Sequence, residues 1–189
     1  MKYGKIRLML NDCRWGILFM EDQVYDNLGL IVAMGKNREI GYNNELIWRI
    51  KEDLNYFKKV TMDSHIIMGR KTYDSMPKNL EGRKYVVLSR DLEFHLGSPK
   101  IVTRSISETL HLVQEMESEK FFVVGGEAIY KSFLPFVHVM HITEILESFK
   151  RADAYFPEYD KNAFLENVLD VSAKEEEVLY RRFVLTRKK

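Results

Sequence analysis

The sequence predicts an α/β protein with a central, mostly parallel sheet of about eight strands, an antiparallel C-terminal strand, and helices on both faces. Short apolar runs alternate with helical segments from residue 28 onward, which is typical of a parallel sheet with helical crossovers. After Tyr159 the pattern changes to two strand-like segments, which indicates an antiparallel pair. The composition, 46% apolar with a net charge of +1 over 189 residues, is that of a folded domain.

The first half of the chain gives five predicted elements. Leu28–Met34 is an apolar run, typical of a strand buried on both faces. Gly35–Trp48 is polar and rich in turn residues, so we expect a long loop there. Apolar residues recur with helical periodicity over Ile50–Thr61. His65–Met68 then reads as a short strand and Lys71–Ser75 as a short helix.

The second half repeats the alternation. Tyr85–Leu88 and Ile101–Thr103 are short apolar strands, and Ser105–Glu108 fits a capping box that begins a helix. Phe121–Val124 is a strand that ends at two glycines, and a helix follows as far as Phe133. The remaining predicted strands are Val137–Ile142, Glu166–Ser172 and Glu177–Arg187.

Charge and cysteine content exclude several classes of protein. Lys plus Arg total 29 and Asp plus Glu 28, so nothing favours a nucleic-acid partner. The single cysteine, Cys13, excludes a disulfide scaffold, and the five histidines form no metal-binding motif, so we expect no metal. No apolar run approaches the roughly 18 residues that span a bilayer, so we expect a cytoplasmic protein with no membrane partner.

Residues 1–26 differ from the rest, and we treat them as an N-terminal extension of unknown role before a domain at 27–189. Ile6–Leu10 and Ile17–Met20 are apolar clusters around an Asn11-Asp12 turn signal. A hairpin, a disordered arm and a docking segment are all compatible with this pattern. Polar residues interrupt the stretch after Lys5 and Arg7, so a secretion signal is not expected.

Asp53 is the charged residue on the apolar face of the helix Ile50–Thr61. A carboxylate on such a face is costly unless it is paired or bound by a ligand, and burial would raise its pKa, which suits acid–base chemistry. The alternative is that Asp53, in the first turn, only interacts favourably with the helix dipole. Spacing alone does not separate the two interpretations.

Polar groups also follow three predicted strands, at the edge of the sheet where ligands bind. Gly69-Arg70-Lys71-Thr72 places cations and a hydroxyl at a strand-to-helix junction, which is compatible with a phosphate site or with a solvated turn. Gly125-Gly126 permits close approach of a ligand or tight packing. Ser89-Arg90 lies at the same edge.

Short motifs follow one another in a distinctive order and spacing over residues 28–187. They are Leu30–Met34, Ile40-Gly41, Leu46–Trp48, Asp53-Leu54, Phe57-Lys58, Ile67–Thr72, Gly82–Lys84, Val87–Arg90, Val124–Gly126 with Tyr130, Ile142-Thr143 and Asp153–Pro157. In this order and spacing they resemble the dihydrofolate reductase family. The resemblance implies a three-layer dihydrofolate-reductase-like fold and NADPH-dependent reduction of 7,8-dihydrofolate. It also implies a monomer that binds antifolates such as trimethoprim or methotrexate.

By the same resemblance, Asp53 binds the pterin and aids protonation at N5, Thr143 supports Asp53, and Trp48 anchors a water near the pterin. These three form the implied catalytic group. Further implied substrate-binding residues line the pocket or hold the glutamate tail: Ile31, Leu54, Phe57, Met76, Lys78, Arg83 and Val124.

The implied NADPH site has three parts. Arg70, Ser89 and Arg90 would bind the 2′-phosphate, and Lys71 and Thr72 the pyrophosphate, with Gly125-Gly126 as the family's cis glycine pair. The other implied cofactor-binding residues are Ala33, Ile40, Gly41, Leu46, Gly69, Leu88, Val124, Glu127, Ala128, Ile129 and Tyr130. Gly35–Ile50 would be the loop that closes over the nicotinamide.

The sequence departs from the family pattern in three places. Ile47 and Lys51 stand where prolines are common, and Met76–Glu81 lacks the usual Arg-Pro-Leu-Pro. Two other functions share the fold: a pyrimidine reductase of riboflavin synthesis, and a nucleotide-binding module without turnover. Asp53 with Phe57 on one helix, and Arg83 after a glycine, favour the folate enzyme.

Overall fold

A computed structural model describes residues 23–77, 80–94, 100–172 and 179–188. The strands are β1 (Tyr25–Met34), β2 (Glu39–Tyr42), β3 (Glu45–Leu46), β4 (Ser64–Gly69), β5 (Arg83–Leu88), β6 (Ile101–Thr103), β7 (Phe121–Gly125), β8 (Val137–Ile145), β9 (Ala154–Tyr155), β10 (Phe164–Val171) and β11 (Tyr180–Arg187). The α-helices are α1 (Lys51–Val60), α2 (Arg70–Ser75), α3 (Ile106–Glu115) and α4 (Glu127–Phe133), with 3₁₀ turns at Leu134–Phe136 and Lys161–Ala163.

Eight strands form one sheet in the order β10-β11-β8-β1-β7-β4-β5-β6. The pairs from β8 through β6 are parallel, and β11 runs antiparallel between β8 and β10. The predicted fold class is therefore confirmed, including the antiparallel C-terminal strand. Since β1, β7, β4 and β5 are adjacent and parallel, their carboxyl ends meet at one edge, where the sequence analysis expected the polar groups.

The central strands are buried on both faces, as their apolar composition predicts. Leu28, Leu30, Ile67 and Val123 have no exposed surface. α3 begins at its predicted cap, where the Ser105 hydroxyl accepts a hydrogen bond from the Glu108 backbone N–H at 3.1 Å. α1 differs from the other helices because none of its side chains is buried, and Leu54 is 47% exposed. Its apolar face therefore borders open space.

The structure corrects the sequence predictions for the loop after β1 and for the start of β1. The long loop expected over Gly35–Trp48 contains the hairpin of β2 and β3, and β2 also pairs with β9. Alternation over four residues or fewer is too short to distinguish from a turn-rich loop. β1 begins at Tyr25 and not at Leu28, so Tyr25 and Asp26, assigned to the extension, lie in the sheet. Tyr25 pairs with Val137 and is buried.

Candidate active site

Asp53 lies in the first turn of α1 and faces β8 and β11. Burial raises the pKa of its carboxyl, while a hydrogen bond from the Thr143 side chain and the positive charge of Arg182 lower it; the net shift is upward. Thr143 is buried on β8, where it pairs with Ala33 of the neighbouring strand β1 and with Arg182 of the neighbouring strand β11. The chain therefore brings together Asp53 and Thr143 from positions 90 residues apart.

Three titratable side chains near Asp53 are held in uncharged forms. Tyr56, one turn along α1, donates or accepts a 2.7 Å hydrogen bond with Nδ1 of His141. Burial lowers the pKa of His141 to about 4 and raises the pKa of Tyr56. Tyr130 on α4 is fully buried, and burial together with the nearby Asp53 raises its pKa. At neutral pH these three side chains add no charge to the site.

Trp48 lies between the β2–β3 hairpin and α1. Its Nε1 donates to the Glu147 carboxylate over 3.4 Å, and its ring packs on the backbone of Gly35. A Cβ at Gly35 would come 2.4 Å from the Trp48 ring and 2.6 Å from Glu39 Oε2. Gly35 is therefore required by close packing at this position.

The apolar residues expected around a flat ligand divide into two sets. Ile31 is buried in β1, and its carbonyl accepts a 2.8 Å hydrogen bond from the Tyr130 hydroxyl. Leu54 is exposed and Phe57 half-buried on α1. Met76 and Val124 are half-buried against the smaller apolar cluster on the β4–β5 side of the sheet. Partly exposed apolar side chains on both α1 and the sheet edge can contact a bound aromatic ring.

Arg83 begins β5, and its Nε is buried without a hydrogen-bond partner in the described chain. Its Nη1 contacts the Met62 sulfur at 3.8 Å. A buried guanidinium N–H with no strong acceptor is costly, so this group is suited to a carboxylate ligand. Lys78, expected at the same end of the ligand, lies outside the described residues.

The junctions after β4 and β7 are in contact. The peptide bond between Gly125 and Gly126 is cis, as the resemblance implied. A Cβ at Gly126 would lie 3.2 Å from the Thr72 hydroxyl, and one at Gly69 would lie 3.1 Å from Ile129. The side-chain-free backbone of these glycines therefore forms a narrow cradle beside the Thr72 hydroxyl.

Next to this cradle, Arg70 is held between carboxylates. Its Nη1 pairs with the Asp91 carboxylate and its Nε lies 3.7 Å from Asp74 Oδ2. The Ser89 hydroxyl accepts from the Asp91 backbone N–H at 3.3 Å. Arg70 and Ser89 are thus linked through Asp91, while Lys71 and Arg90 are exposed.

The other predicted cofactor residues occupy three regions. Ala33 is half-buried beside Thr143, and Gly41 pairs with Leu46 in the hairpin, next to Ile40. Leu88 pairs with Gly69 at the ends of β5 and β4. In α4, Glu127 and Ala128 are exposed, Ile129 is buried, and the Glu127 carboxylate accepts from the Tyr155 backbone N–H at 3.0 Å.

Sequence reasoning missed three charged residues of this region. Arg182 is 6% exposed behind Thr143. Glu39 is buried under the loop after β1. Arg104 donates to the carbonyls of the segment Ser89–Phe94. A charge at an inward position of a strand was the available signal for Arg182, but only the strand register shows that this position faces Thr143.

Comparisons with known proteins indicate one family. A family profile described as dihydrofolate reductase matches residues 27–188. A dihydrofolate reductase of Staphylococcus haemolyticus is 36% identical over 153 residues, covering 81% of this chain and 90% of the relative. One from Bacillus subtilis is 35% identical, covering 71% and 78%, and one from Mycobacterium leprae is 38% identical, covering 62% and 72%. Within the described ranges, no helix is long and apolar enough to span a membrane.

Proposed function

The chain belongs to the dihydrofolate reductase family, and from this premise we propose that it reduces 7,8-dihydrofolate to 5,6,7,8-tetrahydrofolate with NADPH as cofactor, for one-carbon metabolism and thymidylate synthesis. The family uses a nicotinamide cofactor; the choice of NADPH is part of the proposal. The observation that carries the proposal is the half-buried Asp53 carboxylate beside Thr143, bordered by the open apolar face of α1.

Asp53 has the chemistry needed to hold a pterin. Its two carboxylate oxygens can accept from pterin N3–H and the 2-amino group, which gives a bidentate, charge-assisted pair. The Thr143 hydroxyl holds the carboxylate from the sheet side. Leu54 and Phe57 on α1, with Ile31, Val124 and Met76 opposite, supply the apolar contacts.

Protonation at pterin N5 is the second task that we assign to this group. Asp53 favours the protonated pterin electrostatically, and the proton reaches N5 through water. We assign the anchoring of that water to Trp48, whose indole Nε1–H donates to the Glu147 carboxylate at 3.4 Å in the structure. When bound, the reduced nicotinamide supplies a hydride from its C4 to pterin C6.

The residues at the ends of β4, β5 and β7 fit a dinucleotide phosphate. A Cβ at Gly126 would lie 3.2 Å from the Thr72 hydroxyl, so the glycine pair lets a ligand approach the backbone more closely than a larger residue would. Lys71 is exposed beside it for the pyrophosphate. Arg70, Ser89 and Arg90 supply two guanidinium groups and a hydroxyl for a 2′-phosphate, which favours NADPH over NADH.

Arg83 is the proposed partner of the glutamate α-carboxylate, because its buried Nε lacks an acceptor in the described chain. Lys78 completes this end of the substrate site in the proposal. The loop Gly35–Ile50, which includes the β2–β3 hairpin, would close over the nicotinamide and exclude water.

The test is turnover by the purified full-length chain. Loss of the near-ultraviolet absorbance of NADPH on adding dihydrofolate is the expected result, with much slower loss for NADH. A folded protein that leaves NADPH unchanged would overturn the proposed function. Riboflavin-pathway pyrimidine substrates in the same assay test the related reductase, for which we expect no turnover.

Oligomeric state, cellular location and inhibitor binding are also part of the proposal. We propose a monomer that acts in the cytoplasm and binds antifolates such as trimethoprim or methotrexate. Gel filtration and inhibitor titration test the monomer and the antifolates. We also propose that residues 1–26 are an extension to an enzyme domain at 27–189; residues 1–22 of this extension lie outside the described residues. Activity after truncation to Met20 tests this.

A further inference from the structure

Arg182 is a buried cation directly behind the Asp53–Thr143 pair. It is 6% exposed, and the register of β11 on β8 places it opposite Thr143. A buried guanidinium is costly unless its N–H groups and its charge are compensated. The identity of its partners therefore shows what it can do.

Each side of the guanidinium has a different partner. Nη1 donates to Asp170 Oδ2 at 2.7 Å, and Nε donates to Thr143 Oγ1 over a longer 3.4 Å. The flat face lies 4.3 Å from the Tyr56 ring centroid and 5.1 Å from that of Tyr180. Nη2 is buried and has no hydrogen-bond partner in the described chain.

A register shift brings the counter-ion into place. β10 and β11 change register between Val168 and Asp170, and this shift pairs Asp170 with Arg182. Bulges commonly re-aim a side chain in this way. Asp170 is half exposed and compensates the Arg182 charge at Nη1, on the outer side of the guanidinium. The Nε of Arg182 is directed at Thr143.

The contact with Thr143 fixes the direction of a hydrogen bond. An arginine Nε–H can donate but cannot accept, so Thr143 Oγ1 must be the acceptor in that contact. The hydroxyl hydrogen of Thr143 is then available to the Asp53 carboxylate. The same guanidinium packs on Tyr56, which lies on Asp53's own helix and is tied to His141 on β8.

We propose that Arg182, whose charge Asp170 compensates from the outer side, is a positioning residue that orients the Thr143 hydroxyl toward Asp53 and favours the charged Asp53 carboxylate for pterin binding. This inference rests on the proposed function. Through Asp170 and Arg182, the strands β10 and β11 then influence the charge of Asp53 on α1.

The charges facing Asp53 agree with this role. Arg182 lowers the pKa of Asp53, which burial raises more strongly. Among the described residues, the titratable groups near the site include Tyr56 on α1, His141 on β8, Tyr180 on β11 and Tyr130 on α4. The pKa of His141 is lowered to about 4, and the pKa values of Tyr56 and Tyr130 are raised, so these three stay neutral. Arg182 and Asp170 thus provide the formal charges.

The experiment is a carboxyl ¹³C NMR titration of full-length protein labelled at aspartate, with the Asp53 signal assigned by Asp53→Asn. In Arg182→Gln we expect the Asp53 midpoint to move to higher pH, and the KM for dihydrofolate to rise about fivefold, as expected for loss of one hydrogen bond. Arg182→Lys should recover most of the midpoint shift, because it restores the charge.

Arg181→Gln is the matched control. It removes the same charge from the adjacent residue, but Arg181 pairs with Glu144 and Glu166 on the other face of β11. An Asp53 midpoint that is unchanged in Arg182→Gln, or that moves equally in Arg181→Gln, would overturn the proposal. The titration needs no turnover, so its failure is distinct from the absence of dihydrofolate reduction in the parent protein.

If Arg182→Gln does not fold, Asp170→Asn decides the question. Asp170 is half exposed, so its substitution leaves the packing intact and removes the compensation of Arg182. The Asp53 midpoint should then move to lower pH. A midpoint equal to that of the parent protein would contradict the role assigned to the Arg182–Asp170 pair.

Discussion

The buried carboxylate of Glu39 accepts a hydrogen bond from the backbone N–H of Phe149, 110 residues later, at 3.1 Å. It also accepts from the Asn37 backbone N–H at 2.8 Å and from the Asn37 side chain at 3.1 Å. One side chain thereby joins the turn after β1 to the loop after β8. Both segments border Trp48, so Glu39 fixes the base of the proposed closing loop.

Glu39→Gln should destabilise the protein by about 2 kcal/mol at neutral pH, because an amide replaces a carboxylate that accepts three hydrogen bonds. Burial raises the pKa of Glu39, but the hydrogen bonds together lower it more, so the net shift is downward. A lowered folded-state pKa gives stability that is present above the unfolded pKa and lost as pH falls through the folded pKa.

Urea unfolding of parent and variant across pH checks this prediction, and the difference between them should shrink on acidification. Glu45→Gln is the control, since Glu45 makes only an exposed contact with Arg49 among the described residues. A difference that is constant with pH would contradict the assigned role.

Asp53→Asn should lower kcat for dihydrofolate by about 100-fold or more near neutral pH, because the amide cannot carry the charge that favours a protonated pterin. Binding of NADPH, measured by fluorescence titration, should change little, since Asp53 interacts with Thr143 and Arg182 and makes no described contact with Gly125-Gly126 or Thr72. The neighbouring exposed Glu52→Gln should behave like the parent enzyme. Near-normal turnover in Asp53→Asn would show that the carboxylate role is misassigned.

Arg70→Ala should raise the KM for NADPH about tenfold and affect NADH much less, because a charge-assisted contact with the 2′-phosphate is lost. The structure adds a second expectation, since Asp91 pairs with Arg70. Asp91→Asn should lower the KM for NADPH by removing a competing anion. Steady-state kinetics with both cofactors measure both effects, and equal losses for the two cofactors would remove Arg70 from the phosphate site.

Arg104→Ala should loosen the segment Ser89–Phe94, because Arg104 donates to four of its backbone carbonyls at 2.6 to 3.4 Å. We expect faster amide exchange in this segment and a severalfold higher KM for NADPH, with kcat nearly unchanged. Hydrogen exchange and kinetics measure the two effects. Arg104→Lys keeps the positive charge but has fewer N–H donors, so its exchange rates and its KM for NADPH should lie between those of the parent and of Arg104→Ala. Unaltered amide exchange in Arg104→Ala would refute the prediction.

The fold was largely predictable because its strands are marked by short-range patterns. Apolar runs such as Leu28–Met34 must be buried on both faces, and the Ser105 cap is a local hydrogen bond that sequence spacing reveals. The β2–β3 hairpin was not predictable, because its strands are too short to show alternation. The early start of β1 was missed because Tyr25 is buried only by pairing with distant Val137.

The sequence by itself determined the sheet, the helix that carries Asp53, and the polar groups at the strand ends, since each depends on neighbours within a few residues. Only the tertiary structure placed Arg182 behind Thr143, Asp91 on Arg70, and Glu39 beneath Phe149. These contacts depend on strand register and on chain segments far apart in sequence. Electrostatic partners are set by distance in space, and a one-residue change of register would turn Arg182 away from Asp53.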